Sequence, residues 1–467
     1  MAQTVEASVN ITSSTMYFNA NRFAFTPPPM PPYLPPPPPP FEPIVLPSSC
    51  LLDQVARIED CENATTAYCY LSDGELVKVT FVVAEPPRLS HFCVHCPGID
   101  TKLGYARTPR IHHSVDNIAL ISVSFSSAWS RNSEYLFYKA GRHGRRPSLQ
   151  HLEGIGDYFR KKRDVVVASV GFLPRGNDVV LVALTLSFAH SQEELHVFRS
   201  EQSTWTSKVL VLESHQKLYL IERVLDLGSG EIGFVNLSKG ILACSVLTDD
   251  PTVRFIPLPV LLPGNKSHDQ SGDARSLRDV VFKDGVLKCV EMEHCYQRIV
   301  REKPRRVPRL PDDVSEVDVL HDSDMMADIG IGPKEEDVTY KYTGWRLIAW
   351  RRSISSTSWH KDFLFHMDDL RINDPAHVVL GHRCGSPLTL KDVMTCVPTL
   401  SIDDTNSLYL ITDARVPQTL EHRLRVILVN MWKKTLEDVS PVHEEGPNNS
   451  SPACSSCSLF KRLDADS

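Results

Sequence analysis

Few side chains in this chain combine a reactive type with a spacing that could support chemistry. Cys93 and Cys96 stand in Cys93-Val-His-Cys-Pro-Gly98, with His91 and His95 beside them. A thiol pair at that spacing is half of a zinc knuckle, and a structural zinc needs four converging donors. The other pair at this spacing, Cys454 and Cys457, lies far away in the C-terminal segment. On a strand His91, Cys93 and His95 would share one face while Cys96 points to the other. That geometry predicts a strand-end core motif with no metal. Pro97-Gly98 signals a turn, whereas a redox-active Cys-x-x-Cys sits at a helix N-terminus.

The remaining polar groupings read as turns and solvated loops. His112-His113 and Asp116 neighbour Ser114, but adjacency in sequence is not a catalytic triad. No Gly-x-Ser-x-Gly elbow, phosphate-binding Gly-x-x-x-x-Gly-Lys-Ser/Thr loop or Gly-x-Gly-x-x-Gly fingerprint occurs. The acid pairs Asp249-Asp250, Asp312-Asp313, Asp368-Asp369 and Asp403-Asp404 would point apart on strands and suit turns better. Basic clusters at Arg142–Arg146, Arg160–Arg163 and Arg301–Arg309 have no interleaved aromatic platform. The sequence therefore predicts no catalytic residue, no metal ligand and no cofactor.

The elements that would carry these residues are short strands. Thr66–Leu71 and Glu75–Val83 flank Ser72-Asp-Gly74, a hairpin signal. Val165–Leu173 and Val179–Ser187 flank Pro174–Asp178, and Asp279–Phe282 and Gly285–Glu291 meet at a tight turn. Residues 194–258 hold five more apolar runs, and Trp345–Trp350, Val397–Ile402, Ser407–Thr412 and Arg425–Met431 complete the series. This rhythm predicts an all-β fold, propeller-like, with few short helices. Leu51–Glu59 and Ser386–Val393 are the helical candidates. Trp205, Trp345, Trp350 and Trp359 fall near strand ends, where core use is expected.

The bulk composition is that of a globular chain. Of 467 residues 42% are hydrophobic and 23% charged, enough to bury a core. The formal charge of −7 gives no support for a general binder of nucleic acid or anionic membrane. No run approaches a membrane span, and the N-terminus lacks a secretion signal, so cytoplasm or nucleus is expected. The 12 cysteines are then expected to be mostly reduced. Pro27–Pro47 is more than half proline and should be extended polyproline II, a spacer or a ligand for a proline-binding module. The expected organisation is a disordered proline-rich segment over 1–46 and a β-rich domain over 47–435. A loop insertion covers 301–332, and a disordered polar tail 436–467.

Three motifs resemble the grass-abundant plant family called Domain of Unknown Function 1618. They are Cys93–Gly98; Leu195-His-Val-Phe-Arg-Ser200 with Trp205 and Lys208; and Phe234–Leu247 followed by Phe255-Ile-Pro-Leu-Pro259. The order continues through Arg278-Asp-Val280, Gly344-Trp345 and Trp359, and the likeness covers roughly residues 46–435. The family's central signature usually reads Trp-Val-Asp-Leu-Trp; here it is Phe234-Val-Asn-Leu-Ser238. The resemblance implies a β-rich scaffold without an assigned activity. The strand–tryptophan units are also similar to the propeller-like domains that follow F-boxes, which implies substrate reading by analogy. The functional expectation is a non-enzymatic module that recognises a protein through its loops. The alternatives are a hydrolase with a site assembled from propeller loops, and a nuclear factor using the basic loops.

Overall fold

In the computed structural model the chain forms a β-propeller of six blades. The described residues are 13–17, 46–302 and 336–460, less 100–103, 127–132, 142–144, 163–164, 176–177, 188–191, 219, 249, 270–273, 373–381, 384–385, 388, 405, 416–421 and 443–453. Blades two to five are antiparallel meanders whose inner strands are Tyr105–Val115, Val165–Arg175, Arg223–Asp226 and Arg278–Lys283. Blade six starts from Met394–Leu400. Blade one differs. Its inner strand, Cys454–Cys457, comes from the C-terminal end of the chain. That strand pairs antiparallel with Cys50–Asp53, which in turn runs parallel to Leu89–His95. The ring is thus closed by hydrogen bonds between segments some four hundred residues apart.

Each blade buries both faces, and this explains the continuous apolar runs. Six hydrophobic clusters lie between the six neighbouring pairs of blades, the last joining blade six to blade one through Leu51, Val397, Val426 and Cys454. A strand covered on both sides cannot alternate apolar with polar. Ala119, Leu120 and Ile121 accordingly show no exposure at all. The same fact corrects one helix expectation. Leu51–Glu59 was read as a helical stripe, but Cys50–Asp53 is a strand. Leu52 packs into the cluster between blades one and two and Leu51 into that between six and one. Two-sided burial and a helical stripe both place apolar residues side by side, so periodicity could not separate them.

The other differences are local. Within Ser386–Val393 the structure has a two-residue strand at Ser386–Pro387 and a 3-10 turn at Leu390–Asp392, its start held by Thr389 and Asp392. The one α-helix among the described residues, Ile155–Lys161, was not anticipated. It spans two turns and is fastened by Ile155, Tyr158 and Phe159, all buried between blades two and three. Tyr158 stacks on Trp205 with ring centroids 4.4 Å apart. Part of the segment read as a polar tail is structural: Thr435–Pro441 is the fourth strand of blade six, and Cys454–Cys457 closes the ring. Ser13–Tyr17, inside the segment read as proline-rich and disordered, pairs with Thr204–Leu210 at the outer edge of blade three. The proline run itself lies outside the described residues.

Blades are also tied by directional bonds. Arg199 donates to the carbonyls of Val246 and Thr248, joining blades three and four. Buried Arg278 donates to Glu291 and to the carbonyls of Leu237 and Pro259, and Trp359 Nε1 donates to Pro257 O at 2.8 Å.

Candidate functional site

A propeller can place chemistry at three positions: on its axis, on a blade face, and on the loops and edges of its rim. The axis is filled. Arg223 on the inner strand of blade four donates Nε to Asp279 Oδ1 of blade five at 2.8 Å. Its guanidinium also donates to Cys454 O of blade one at 3.1 Å. Asp279 accepts the amides of Val280 and, from blade six, of Leu400. Four inner strands thus converge on one ion pair. Asp279 is 1% exposed, and burial pushes its carboxyl upward while Arg223 opposes the shift. A buried carboxylate with partners on both oxygens is a structural member, since nothing is left to meet a substrate.

The pairs singled out in the sequence are dispersed. Cys96 enters the core between blades one and two. Cys93 faces the other way and meets Cys61, with Sγ atoms 2.8 Å apart. Cys93 and Cys96 therefore face opposite ways, as strand alternation predicts. Cys457 lies 3.4 Å from Cys50 in the core, and Cys454 is buried separately. His112 Nε2 meets Ser122 Oγ, whereas His113 Nδ1 accepts the amide of Phe172 in the next blade. Burial lowers both imidazoles to about 3. A neutral, occupied imidazole has no role as a proton shuttle near pH 7.

The acid pairs that are described stabilise turns or loops. Asp369 caps His366, Asp404 accepts from Asn406 and Ser407, and Asp250 pairs with Lys208. Asp312-Asp313 and the basic residues 303–309 fall outside the described residues, as do 142–144 and Arg163.

Of the four tryptophans expected in the core, Trp205 and Trp345 are 2% and 0% exposed. Trp350 and Trp359 pack partly buried between blades four and five. Phe234 is fully buried, so the change from tryptophan in the signature keeps the residue in the core. Asn236 Oδ1 accepts the amides of Ser238 and Lys239, and its Nδ2 donates to Leu220 O. An aspartate could make the first two contacts and not the third. Gly240 is required because a Cβ there would come within 2.4 Å of the Phe255 ring.

The exposed surface holds features that sequence reasoning missed. The second and third strands of blade five, Val286–Glu302 and Glu336–Ser353, are the longest among the described residues. Their neighbours in the sheet pair only as far as Glu291 and Arg346. Beyond those points the two strands continue paired to each other out to Glu302 and Glu336. The extension carries Tyr296 at 51% and Tyr340 at 68% exposure, with Tyr342 5.7 Å from Tyr296. His294 anchors its base by bonding to Thr395 O of blade six. On another part of the rim Trp432 is 72% exposed and meets the Phe363 ring edge-on, with centroids 6.0 Å apart. A signal for the extension was present: Tyr296-Gln-Arg298 and Tyr340-Lys-Tyr342 offer no aliphatic residue to either face, and Gln297, Arg298 and Lys341 are exposed beside Tyr296 and Tyr340.

The architecture is that of a six-bladed β-propeller, with a buried ion pair shared by four inner strands and exposed aromatic side chains at the rim. Residues 234–409 match the family model described as Protein of unknown function (DUF1618). The match runs from the second strand of blade four to the second strand of blade six, so it spans the fifth blade and its extension whole. No curated protein matches the chain. No helix among the described residues is long and apolar enough to cross a membrane.

Proposed function

We propose that this chain is a protein-interaction module whose contact element is the paired extension of blade five. The observation that carries the reading is the exposed Tyr296–Tyr340 surface on two strands whose outer edges have no sheet neighbour among the described residues. An open strand edge offers main-chain donors and acceptors to an extended segment of a partner, and alternate side chains supply selectivity. Tyrosine suits such a contact because it brings large area at small entropic cost. Arg298 and Lys341, both exposed, flank the tyrosines and favour a partner segment with acidic residues. Charged residues on an edge also prevent indiscriminate pairing.

The test is comparative. The full chain and its Tyr296→Ala/Tyr340→Ala variant would be used to capture partners from extract, and the partner found would be purified and titrated. Both side chains are largely exposed, so the variant should melt within ~0.5 kcal/mol of the parent. Binding at least tenfold weaker in the variant supports the extension as the contact. Equal binding by both chains places the contact elsewhere on the rim.

A further inference from the structure

Cys61 and Cys93 form a cluster that the interaction reading does not use. The segment before Asn63 lies along blade one. Arg57 N donates to Phe92 O and Val94 N donates to Arg57 O, both at 2.9 Å, and Thr80 Oγ1 donates to Cys61 O at 2.9 Å. These bonds fix the backbone on both sides of the thiol pair. Cys93 is 1% exposed, whereas Cys61 is half-buried. Glu59 Oε2 stands 3.8 Å from Cys61 Sγ and completes a group of three potential donors.

Two chemistries fit two thiols and a carboxylate. Zinc with Zn–S near ~2.3 Å would hold its sulfurs ~3.8 Å apart, and a closed site wants a fourth donor. A disulfide needs ~2.05 Å. The Sγ atoms, at 2.8 Å, would have to part by about 1 Å for zinc, and the described residues supply three donors to that group. We propose that Cys61 and Cys93 are a reversible disulfide site, oxidised by low-molecular-weight disulfides such as glutathione disulfide.

The accessible thiol acts first. Cys61 passes its proton to Glu59 or solvent, and its thiolate attacks one sulfur of glutathione disulfide. The S–S bond breaks and one glutathione leaves as thiolate. Cys93 then loses its proton, attacks the Cys61 sulfur of the mixed disulfide and displaces the second glutathione. Two protein thiols become one disulfide, and one glutathione disulfide becomes two glutathiones after protonation. Burial, followed by the hydrogen bond to Cys61, raises the Cys93 thiol, so Cys93 resolves and Cys61 attacks. The product fastens the segment 54–61 to the third strand of blade one.

The experiment uses the full chain, reduced and freed of metal, then exposed to glutathione disulfide without denaturant. Free thiols are alkylated, and the digest is mapped by mass spectrometry. The expected result is one peptide pair joining Cys61 to Cys93, lighter by two hydrogen atoms and cleaved by dithiothreitol. Cys50 and Cys457, buried and 3.4 Å apart, should remain alkylatable only after unfolding. Cys61→Ser and Cys61→Ala should abolish the link and leave Cys93 unmodified, with thermal melts confirming that both variants fold. Three results would overturn the proposal. They are a native chain that emerges with both thiols free, a Cys61 linked to another cysteine, and one zinc retained per chain that blocks oxidation and is lost in Cys61→Ser.

Discussion

The axis and the rim of this propeller use the same kinds of side chain to opposite ends. Arg223 and Asp279 at the axis are held by blades one, four, five and six together. Arg254 and Glu231 on blade four form an ion pair of equally short reach, 2.7 Å, between two strands of a single blade with Arg254 partly in water. Trp205 lies in the core between blades two and three, whereas Trp432 stands in solvent. At the axis Nε and Nη2 of Arg223 and both oxygens of Asp279 are engaged by the fold itself. At the rim the capacity to bond or bury remains available, and that is where a partner or an oxidant can act.

This contrast can be broken by substitution. Asp279→Ala leaves a buried guanidinium unpaired and unties four blades, and it should cost about 3–5 kcal/mol in urea unfolding. Arg254→Ala should cost no more than ~1 kcal/mol, because an exposed pair regains its hydration when broken. Equal losses would mean that the axial knot is dispensable and that the six apolar clusters alone hold the ring. The tryptophans sharpen the contrast through packing. Trp205→Ala removes a ring that stacks on Tyr158 and meets Phe159 and Phe198, a loss of about 3–5 kcal/mol. Trp432→Ala should stay within ~0.5 kcal/mol. A destabilising Trp432→Ala would show that the rim tryptophan packs against the chain itself.

The sequence displayed the axis and the rim unequally. The strands were visible because β-branched and aromatic residues cluster between turn residues; Ser72-Asp-Gly74 and Lys283-Asp284-Gly285 mark turns the structure contains, with Gly74 and Gly285 both at positive φ. The burial of Trp205 followed from its place near a strand end. The axial knot was not legible, because Arg223, Asp279, Leu400 and Cys454 come from four blades and nothing in their local sequence announces a meeting. Cys61 was hidden for a related reason. Its partner is thirty-two residues away across a fold of the chain, while the eye-catching Cys93-x-x-Cys96 spacing puts its two thiols on opposite faces. Spacing reports contacts along one element, and this fold builds its polar contacts between elements.

An effect smaller than those of the axial and core substitutions concerns protons in the buried interior. His113 and His196 are 4% and 0% exposed, and burial lowers each imidazole to about 3. Lys162 adds to the lowering at His196. His196 is bonded to Tyr158 and Thr185, with Glu194 3.4 Å away, and His113 accepts the Phe172 amide. His112 is lowered by burial to the same value, and in the unfolded chain all three would protonate near the ordinary ~6.5. The unfolded state therefore gains protons first as the solution is acidified, and stability falls from pH 6.5 toward pH 3. At pH 5.5 the loss should be about 1.4 kcal/mol for each histidine, relative to neutral pH. His196→Gln can preserve hydrogen bonds to Tyr158 and Thr185 without a titrating group, so it should remove about a third of that slope in urea melts taken from pH 7 to pH 5, His112 and His113 supplying the rest. A slope unchanged by His196→Gln would mean that water or the Glu194 carboxylate reaches the imidazole, and that the interior between blades two and three is wetter than its packing shows.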